Sequence, residues 1–313
     1  MTSVHKIDAP YFTLSDGKNI PWLGWGNGTG NARQTAIESG EQALKAGIIH
    51  IDTAQGYNNE KETGECLAKS GVSKSDIWVT TKLSQKDGSP NNPPIPLASL
   101  RASVNGTISR LGFQPDLLLV HNPFVPEAGK LVEFWQVLED MKDKGELTSS
   151  LGVSNFRPQD LEELLKVARH PITVNQLEFH PYVLEHLDPV LKIMEKHNIR
   201  VEAYGPLSPI LRHPTGGPLK PLLAKIAHRL SSVTGRDVDQ AAVLLLWCKA
   251  KGVIAVTASA NPDNIAKLGA LQGLPDLDPS EVEEIEATGR KIHFRAYDEH
   301  MCIDFPAPNL PSQ

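Results

Sequence analysis

The sequence is poor in cysteine, in long apolar runs and in excess positive charge. Its three cysteines, Cys66, Cys248 and Cys302, are odd in number and far apart. That spacing fits neither a disulfide framework nor a zinc site. No apolar run approaches about 18 residues, the length that crosses a bilayer as a helix. Residues 1–15 lack the apolar core of a signal peptide, so we expect a cytoplasmic protein with no membrane segment.

The balance of charges argues against nucleic acid as a partner. Lys and Arg total 31 against 37 Asp and Glu, a net charge of -6, so the chain has no basic field to attract a polyanion. Its 40% hydrophobic content is enough for a sizeable core, and 313 residues is a common length for one α/β barrel. We therefore expect one domain over residues 1–313, acting as a monomer on a small molecule.

Strand-like and helix-like segments alternate along the chain after a short predicted hairpin at residues 11–21. The turn of this hairpin is Asp16-Gly17, and we expect it to close one end of the fold. Apolar strands are then predicted at residues 22–26, 48–51, 77–81, 117–120, 149–153, 172–175, 200–204 and 253–256. Helices are predicted from periodicity and capping at residues 32–46, 60–69, 97–111, 130–144, 158–168, 186–197, 238–250, 262–271 and 279–290.

Eight strand–helix units in one series, with no linker between halves, predict a single (β/α)8 or TIM barrel. The rival architecture, a doubly wound sheet, needs a Gly-x-Gly-x-x-Gly turn after an early strand. Residues 24–30 read Gly-Trp-Gly-Asn-Gly-Thr-Gly, which places the glycines at alternate positions instead. We therefore prefer the barrel, with the non-periodic segment from His293 onward as a C-terminal loop at the active site.

Polar residues stand at the ends of seven successive predicted strands. In a parallel barrel these ends face one cup, where the active site lies. A single Asp or Tyr there is most simply a cap or a packing residue, but seven polar ends after apolar runs are hard to assign to packing. The residues are Asp52, Lys82, His121, Ser154 with Asn155, Gln176, Tyr204 and Thr257.

Tyr57, five residues after Asp52, is the candidate acid. A tyrosine titrates near pH 10 in water and is a poor acid at neutral pH. We expect the ammonium of Lys82 to lower the pKa of Tyr57, and Asp52 to keep Lys82 charged despite burial. His121 offers a neutral imidazole that can orient a carbonyl oxygen. The pattern predicts a proton relay that serves a carbonyl group.

Hydroxyl and carboxamide groups follow at the next strand ends. Ser154, Asn155 and Gln176 carry the groups that the edge of a planar, amide-bearing ring would need. Tyr204 can present an aromatic face for that ring to stack on. These residues predict a site for such a ring beside the acid.

In several motifs the sequence resembles the aldo-keto reductase family, whose members are NAD(P)H-dependent carbonyl reductases on a (β/α)8 barrel. The similarity runs from about Phe12 to about Arg295. Any one motif would be weak, but together, and in order, they are highly specific. They are Asp52-Thr53-Ala54 with Tyr57 and Asn59-Glu60, Thr81-Lys82-Leu83, Leu118-Leu119-Val120-His121 with Pro123, Gly152-Val153-Ser154-Asn155-Phe156, and Asn175-Gln176-Leu177-Glu178-Phe179-His180-Pro181.

The resemblance implies a role for each of these residues. Tyr57 would be the proton donor, assisted by Lys82, Asp52 and His121, with hydride from a nicotinamide stacked on Tyr204. No metal is implied. Implied substrate contacts are Trp25, Tyr57, His121 and Phe124, with the C-terminal tail. Implied cofactor contacts are Gly26, Asn27, Asp52, Ser154, Asn155, Gln176, Tyr204, Gly205, Pro206, Leu207, Ser208, Thr257, Ala258, Ser259 and Asn264.

The sequence departs from the family in the segment after the last strand. Members that prefer NADPH usually hold its 2′-phosphate there with a lysine and an arginine. Val256 and Asn264 stand at those positions, which leaves hydroxyls, amides and the helix start at Pro262 to bind an anion. Lys267 is a candidate substitute cation. We expect NADPH to be preferred over NADH, but by a smaller margin.

A second departure concerns the substrate. The segment Asn122-Pro123-Phe124 replaces the tryptophan that follows the histidine in many members. This is similar to fungal reductases that act on conjugated polyketones and cyclic diketones.

Two other classes of function were weighed. His50 and Asp52, two residues apart on a strand, occur in barrel metal hydrolases, but that reading needs partner histidines at later strand ends, and His121 alone stands at one. A cofactor-binding protein without turnover is the other alternative. The presence of Asp52, Tyr57, Lys82 and His121 together argues against a binding protein without turnover, because only catalysis requires all four. The remaining histidines, including His186 and His213, are expected at the surface or at caps, with His180 as a candidate buried one.

Overall fold

Eight parallel strands close into a barrel in the computed structural model of the chain, which describes residues 10–297 and 300–313. Residues 1–9, most of the segment expected to lack a signal peptide, lie outside the described residues. The barrel confirms the predicted fold class. A two-stranded antiparallel hairpin, β1 (Tyr11–Thr13) and β2 (Asn19–Pro21), precedes it as predicted.

The barrel strands follow one another in chain order, and the last pairs with the first. Their bounds differ from the predicted ones by at most three residues. They are β3 (Leu23–Gly26), β4 (His50–Asp52), β5 (Trp78–Leu83), β6 (Leu117–Val120), β7 (Ser150–Ser154), β8 (Val174–Glu178), β9 (Arg200–Tyr204) and β10 (Ile254–Thr257).

Helices surround the barrel and connect successive strands. They are α1 (Gly30–Gln34), α2 (Ala36–Lys45), α3 (Glu60–Ser70), α4 (Leu100–Leu111), α5 (Leu131–Asp143), α6 (Pro158–Leu165), α7 (Leu184–Lys196), α8 (Ser208–Leu211), α9 (Leu219–Thr234), α10 (Gln240–Ala250), α11 (Pro262–Ala270) and α12 (Pro279–Gly289). The predicted helix at 32–46 is two helices, because the backbone of Thr35 (φ -111, ψ 36) leaves the helical region.

The sequence interpretation missed α9, which has 16 residues. Its signal was present, because apolar residues recur at spacings of three and four. Most of them are buried, although Val233 near the end of the helix is exposed, and the helix packs against α10 and α12. The buried residues of α9 are Leu219, Leu222, Leu223, Ile226, Ala227 and Leu230.

The interior of the barrel is apolar at one end and polar at the other. Leu14 and Ile20 of the hairpin segment pack against residues near the beginnings of the strands, such as Trp78 and Leu117, so the hairpin closes that end as expected. Buried polar side chains fill the strands toward their carboxyl ends, among them Lys82. The chemistry is therefore concentrated at the mouth opposite the hairpin.

The C-terminal segment is attached to the barrel by side-chain donors that contact its backbone. His186 Nε2 donates to the carbonyl of Phe305 at 2.8 Å, His213 Nε2 to Ser312 at 2.6 Å, and Arg157 Nη1 to Ile303 at 2.6 Å. His186 and His213 are buried, so their expected surface placement was wrong. The tail fold that buries them could not be read from a segment without periodicity. His180 is buried as expected, 3.0 Å from Glu178.

Within the described residues, no helix is long and apolar enough to span a bilayer.

Candidate active site

The polar strand ends converge on one cavity of about 280 Å³ at the carboxyl ends of the strands. Lys82 lies immediately beneath it and is fully buried. The strand-end residues are thus brought together as predicted. Those that line the cavity are Asp52, His121, Ser154, Asn155, Gln176, Tyr204 and Thr257, joined by Tyr57 from the turn after β4.

Tyr57 is presented by a single 3₁₀ turn, Gln55–Tyr57. Arg33 clamps this turn from α1, since its Nε donates to the carbonyl of Tyr57 at 2.8 Å and its Nη2 to that of Gly56 at 3.0 Å. Asn58 then adopts a left-handed conformation (φ 58), which lets the chain enter α3. The sequence interpretation did not identify Arg33, because it lies 24 residues away.

The glycine-rich loop after β3 makes room for the Tyr57 ring. A Cβ added at Gly28 would lie 2.5 Å from Cζ of Tyr57, so only glycine fits there without moving the phenol. Gly26 also lines the cavity. The side chain of Asn27 instead donates to Thr63 Oγ1 at 2.9 Å, away from the cavity, which does not match its expected cofactor contact.

Asp52 and Lys82 form a buried ion pair beneath Tyr57. Lys82 Nζ donates to both carboxylate oxygens of Asp52, at 2.7 and 2.8 Å, and to the carbonyl of Thr53 at 3.0 Å. It lies 3.5 Å from the hydroxyl of Tyr57. Burial is the largest single influence on the pKa of Lys82 and lowers it, but the nearby Asp52, Tyr57 and Glu202 together raise that pKa above its ordinary value. Lys82 is therefore charged, as expected.

The pKa of Tyr57 is raised above its ordinary value, contrary to the expected lowering. Burial disfavours the phenolate and is the larger effect, while the Lys82 ammonium acts in the expected direction but is smaller. The hydroxyl is thus protonated at neutral pH. The protonated hydroxyl of Tyr57 therefore faces the cavity beside the charged ammonium of Lys82.

His121 stands beside the acid as a neutral imidazole. Its ring meets that of Tyr57 edge to face, with centroids 5.7 Å apart. Burial, and next the charge on Lys82, hold the pKa of His121 well below its ordinary value. Nδ1 of His121 lies 2.5 Å from Oγ of Ser84. The sequence interpretation did not single out Ser84, although it stands two residues after Lys82 and is buried.

Hydrogen bonds connect the hydroxyl and amide groups to one another. Asn155 Nδ2 donates to Ser154 Oγ at 3.1 Å, and Tyr204 Oη donates to Asn155 Oδ1 at 2.7 Å. Gln176 Nε2 donates to Asp52 Oδ2 at 2.8 Å. The ring of Tyr204 is further held by Tyr297, edge to face at 5.4 Å between centroids. These bonds fix the orientation of each group before any ligand arrives.

A second cavity, of about 790 Å³, continues from the first between α9, α10 and α11. Leu207, Leu211, Thr257 and Ala258 line both cavities. Three further expected cofactor residues, Gly205, Pro206 and Ser208, line the first cavity. Ser259 and Asn264 line the second, with Lys267. The two cavities form one long groove, which suits an elongated ligand.

Trp25 and Phe124 do not line the catalytic cavity where they were expected. Side chains alternate along a strand, so Trp25, between Gly24 and Gly26, points outward; it is fully buried and its Nε1 donates to the carbonyl of Ser259 at 2.9 Å. The ring of Phe124 lies under the guanidinium of Arg157, 5.1 Å from ring centroid to Cζ. The rim is formed by Leu211 and Arg212, which the sequence interpretation did not name, and by Tyr297 and His300 of the C-terminal tail, where substrate contacts were expected.

His50 and Asp52 both take part in hydrogen bonds inside the barrel. His50 Nε2 lies 2.9 Å from Thr80 Oγ1, and Asp52 is paired with Lys82. In the part of the chain that the structure describes, no group of three or more His, Cys, Asp or Glu side chains is placed to hold a metal ion.

The fold and site define a (β/α)8-barrel enzyme with a tyrosine, a lysine and an aspartate in contact at one end of a long groove. The sequence model of the Aldo/keto reductase family matches residues 22–290. The chain belongs to this family, and it is an oxidoreductase.

Individual relatives cover most of the chain. An NAD/NADP-dependent indole-3-acetaldehyde reductase of Schizosaccharomyces pombe is 34% identical over 295 residues, 91% of this chain and 97% of that protein. An NADPH-dependent alpha-keto amide reductase of Saccharomyces cerevisiae is 30% identical over 295 residues, 89% and 90% of the two chains. A solved structure, the Bombyx mori aldo-keto reductase in complex with NADP, covers 96% of this chain and 98% of its own, with a TM-score of 0.78 and 27% identity.

Proposed function

We propose that this chain is an NADPH-dependent carbonyl reductase in which Tyr57 donates a proton to the oxygen of an aldehyde or ketone. The observation that carries the proposal is the position of the Tyr57 hydroxyl, 3.5 Å from Lys82 Nζ, in a cavity that also holds a neutral His121. The names of the S. pombe and S. cerevisiae relatives support carbonyl reduction.

The residues of the groove suit a nicotinamide dinucleotide. The polar edge of Ser154, Asn155 and Gln176 beside the fixed ring of Tyr204 matches an amide-bearing ring at the catalytic end. The second cavity is continuous with the first and has room for the adenosine half. When bound, the cofactor supplies a hydride to the carbonyl carbon.

The side chains of the chain supply the proton and the charge balance. Tyr57 donates its hydroxyl proton to the carbonyl oxygen, and the departing proton leaves negative charge on Oη. The ammonium of Lys82 stabilises that charge, and Asp52 holds Lys82 protonated and in place. Because Lys82 and Asp52 are buried and Tyr57 is partly buried, water screens the interaction only weakly.

His121 positions the carbonyl. A neutral imidazole can donate one hydrogen bond to the carbonyl oxygen through Nε2 when Nδ1 accepts from a neighbour. The Oγ of Ser84, 2.5 Å from Nδ1, is that neighbour when its hydroxyl turns toward the ring and away from the carbonyl of Lys82, 3.2 Å away. His121 thus orients the carbonyl oxygen toward Tyr57 and leaves the proton transfer to the phenol.

For the substrate we propose an aldehyde or a ketone, with conjugated or cyclic diketones as the favoured group. The Asn122-Pro123-Phe124 segment supports this choice. The name of the S. cerevisiae relative, an alpha-keto amide reductase, describes a compound with two adjacent carbonyls. Leu211 and Tyr297 give the rim an apolar character that disfavours free sugars. Steady-state rates for aldehydes, simple ketones and diketones, each with both cofactors, test the proposal.

For the cofactor we propose NADPH over NADH by a modest margin. Val256 is buried with its Cγ1 close to Gly26, so no cation reaches the groove from that position. Hydroxyl and amide donors of Thr257, Ser259 and Asn264 remain, each worth about 1.5–3 kcal/mol when bonded to a charged group. An Asn264→Arg variant is expected to widen the preference, mainly by lowering KM for NADPH.

We also propose that the chain works as a monomer of one domain in the cytoplasm. Residues of this chain line the catalytic cavity from the strand ends to the C-terminal tail, which supports the proposal. Light scattering during size exclusion tests the monomer.

The replacement of Tyr57 by phenylalanine tests the function directly. Tyr57→Phe removes the acidic hydroxyl and keeps the ring, so folding and cofactor binding are expected to be unchanged. Carbonyl reduction should fall by roughly 10²–10⁴-fold, the usual contribution of a general acid. Oxidation of the reduced nicotinamide is the readout, and Tyr11→Phe on the exposed hairpin is the matched control.

A residual rate of the Tyr57→Phe variant above about a tenth of the wild-type rate would show that Tyr57 is not the proton donor. A wild-type protein that binds the dinucleotide but reduces none of the carbonyl compounds would instead be a binding protein on this scaffold.

A further inference from the structure

The far end of the second cavity carries a cluster of mixed charge around Lys267, the candidate substitute cation, and the acidic members of this cluster were not expected cofactor contacts. Lys267 Nζ lies 3.7 Å from Oδ2 of Asp237 and 3.7 Å from Oδ2 of Asp239. All three side chains line the second cavity, and we call them the charge cluster. Arg236 also lines this end, with its Nη1 donating to the carbonyl of Gly273 at 3.3 Å.

The charge cluster lies where barrels of this class bind phosphate. Phosphate groups commonly bind at the loops after the seventh and eighth strands, which here are β9 and β10. Lys267 and Asn264 are three residues apart on α11, so they share one side of that helix. A phosphate on the ribose of the adenosine half would find Lys267 among its partners.

The formal charge of this end is balanced. Arg236 and Lys267 contribute two positive charges, and Asp237 and Asp239 two negative ones. A phosphate dianion has to compete with both carboxylates for the ammonium of Lys267, and it is repelled by them. A ribose with a free 2′-hydroxyl meets no such repulsion. The cluster therefore favours the dephosphorylated cofactor relative to a site with unopposed cations.

We propose that Asp237 sets the choice between the two cofactors by holding Lys267, so that the chain accepts NADH as well as NADPH. The inference rests on the proposed function. Asp239 has a second task, because its side chain caps α10 by accepting from the backbone N–H of Ala242 at 2.9 Å. The side chain of Asp237 is 87% exposed, so it can be replaced at little cost to folding.

Equilibrium binding, without turnover, tests the proposal. Calorimetric titration of Asp237→Asn with NADP⁺ and NAD⁺ is expected to show NADP⁺ binding about two- to fivefold tighter than in wild type, the size of an exposed charge interaction. Binding of NAD⁺ should be unchanged. Glu283→Gln is the control, because it removes the same charge from an exposed position on α12 that lines neither cavity.

A double variant separates the two ways in which Asp237 could act. Lys267→Met alone should weaken NADP⁺ binding and leave NAD⁺ binding unaltered. If Asp237 acts by holding Lys267, the gain of Asp237→Asn disappears in Asp237→Asn/Lys267→Met. A gain that persists in the double variant, or NADP⁺ binding that Asp237→Asn leaves unchanged, overturns the inference. Failure of wild type to bind either dinucleotide overturns the proposed function itself.

Discussion

Tyr57 sits between two opposing influences on its acidity. Burial keeps the phenol protonated, and the nearby ammonium of Lys82 stabilises the phenolate. In water neither influence would be strong, because solvent would screen the charge and hydrate the hydroxyl. The position of Tyr57 inside the barrel mouth makes both effective. Tyr57 holds its proton at rest, and in the proposed mechanism it gives that proton to a carbonyl oxygen.

Replacement of Lys82 by methionine is expected to be nearly as damaging as loss of the phenol. Without the ammonium, the phenolate that forms during the reaction is unsupported, so we expect a fall in kcat of roughly 10²–10⁴-fold and loss of the wild-type pH dependence. The pH profile of kcat/KM is the measurement. Since Lys82→Met also leaves Asp52 without its partner, Asp52→Asn/Lys82→Met is made alongside to remove the buried charge. Retention of both rate and pH profile in either folded variant would disprove the relay.

Ser84 is expected to position His121. Ser84→Ala removes the partner of Nδ1, so the imidazole loses its preferred tautomer and its orientation. We expect kcat to fall by about three- to tenfold, the cost of one lost hydrogen bond, with an altered pH profile and unchanged affinity for the cofactor. Ser84→Thr keeps the hydroxyl and should restore most of the activity. If threonine and alanine behave alike, the hydroxyl does not act on His121.

At the scale of the element, helix α11 forms one end of the groove and packs closely against the end of α2. A Cβ added at Gly269 would lie 2.2 Å from the backbone oxygen of Ala46, which follows α2. Backbone cannot yield as a flexible side chain does, so the close approach of α11 to α2 depends on this glycine. Asn264 and Lys267 lie on the same helix, so its packing sets their position in the groove.

Gly269→Ala is therefore expected to displace α11. We predict a loss of about 1–3 kcal/mol in the free energy of unfolding, the usual cost of overpacking, and weaker dinucleotide binding. Gly106→Ala in α4 is the control, because a Cβ there would meet only the far end of Arg110. That change should be neutral or stabilising by up to about 1 kcal/mol, as expected from helix propensity. Urea unfolding of both variants measures the two changes in the free energy of unfolding. Equal changes would count against the close contact between Gly269 and Ala46.

At the scale of the whole molecule, buried histidines couple stability to pH. Burial lowers the pKa of His50 and of His186 to about 4, although Asp52 partly opposes it at His50. His121, His180 and His293 are also buried, with lowered pKa values. Between about pH 4 and the ordinary pKa of 6.5, His50 and His186 bind protons only when the chain unfolds, and the lowered pKa values of the other three act in the same direction. Stability is therefore lost as the pH falls through that range.

We predict that the free energy of unfolding decreases as the pH falls from 6.5 to 4.5. Each such histidine contributes up to about 1.4 kcal/mol per pH unit. Glu202 opposes this trend, because burial raises the pKa of its carboxyl to about 8, but it is one group against five. Urea unfolding at several pH values measures the slope, and His186→Gln should reduce it. A flat or rising stability on acidification would contradict the prediction.

The sequence by itself determined the barrel and the chemical inventory of its mouth. The alternation of apolar strands and periodic helices has a direct physical cause, since each strand must be buried on both faces and each helix on one. The polar residues at successive strand ends, such as Asp52 and Gln176, then had to meet, because parallel strands in a barrel end on the same side. The Tyr57–Lys82–Asp52 grouping follows from that rule and needs no coordinates.

Other properties could be read only from the tertiary structure, because they depend on contacts between residues that are far apart in the sequence. The pKa of Tyr57 is raised because the desolvation of its ring outweighs the charge of Lys82. Trp25 points outward because side chains alternate along its strand. Ser84 pairs with His121 because the two residues follow neighbouring strands. The contact between Lys267 and Asp237 joins helix α11 to the loop before α10, 30 residues earlier in the chain. Burial and charge pairing act through space. The sequence gives the identity of each group, but which groups are in contact depends on the folded chain.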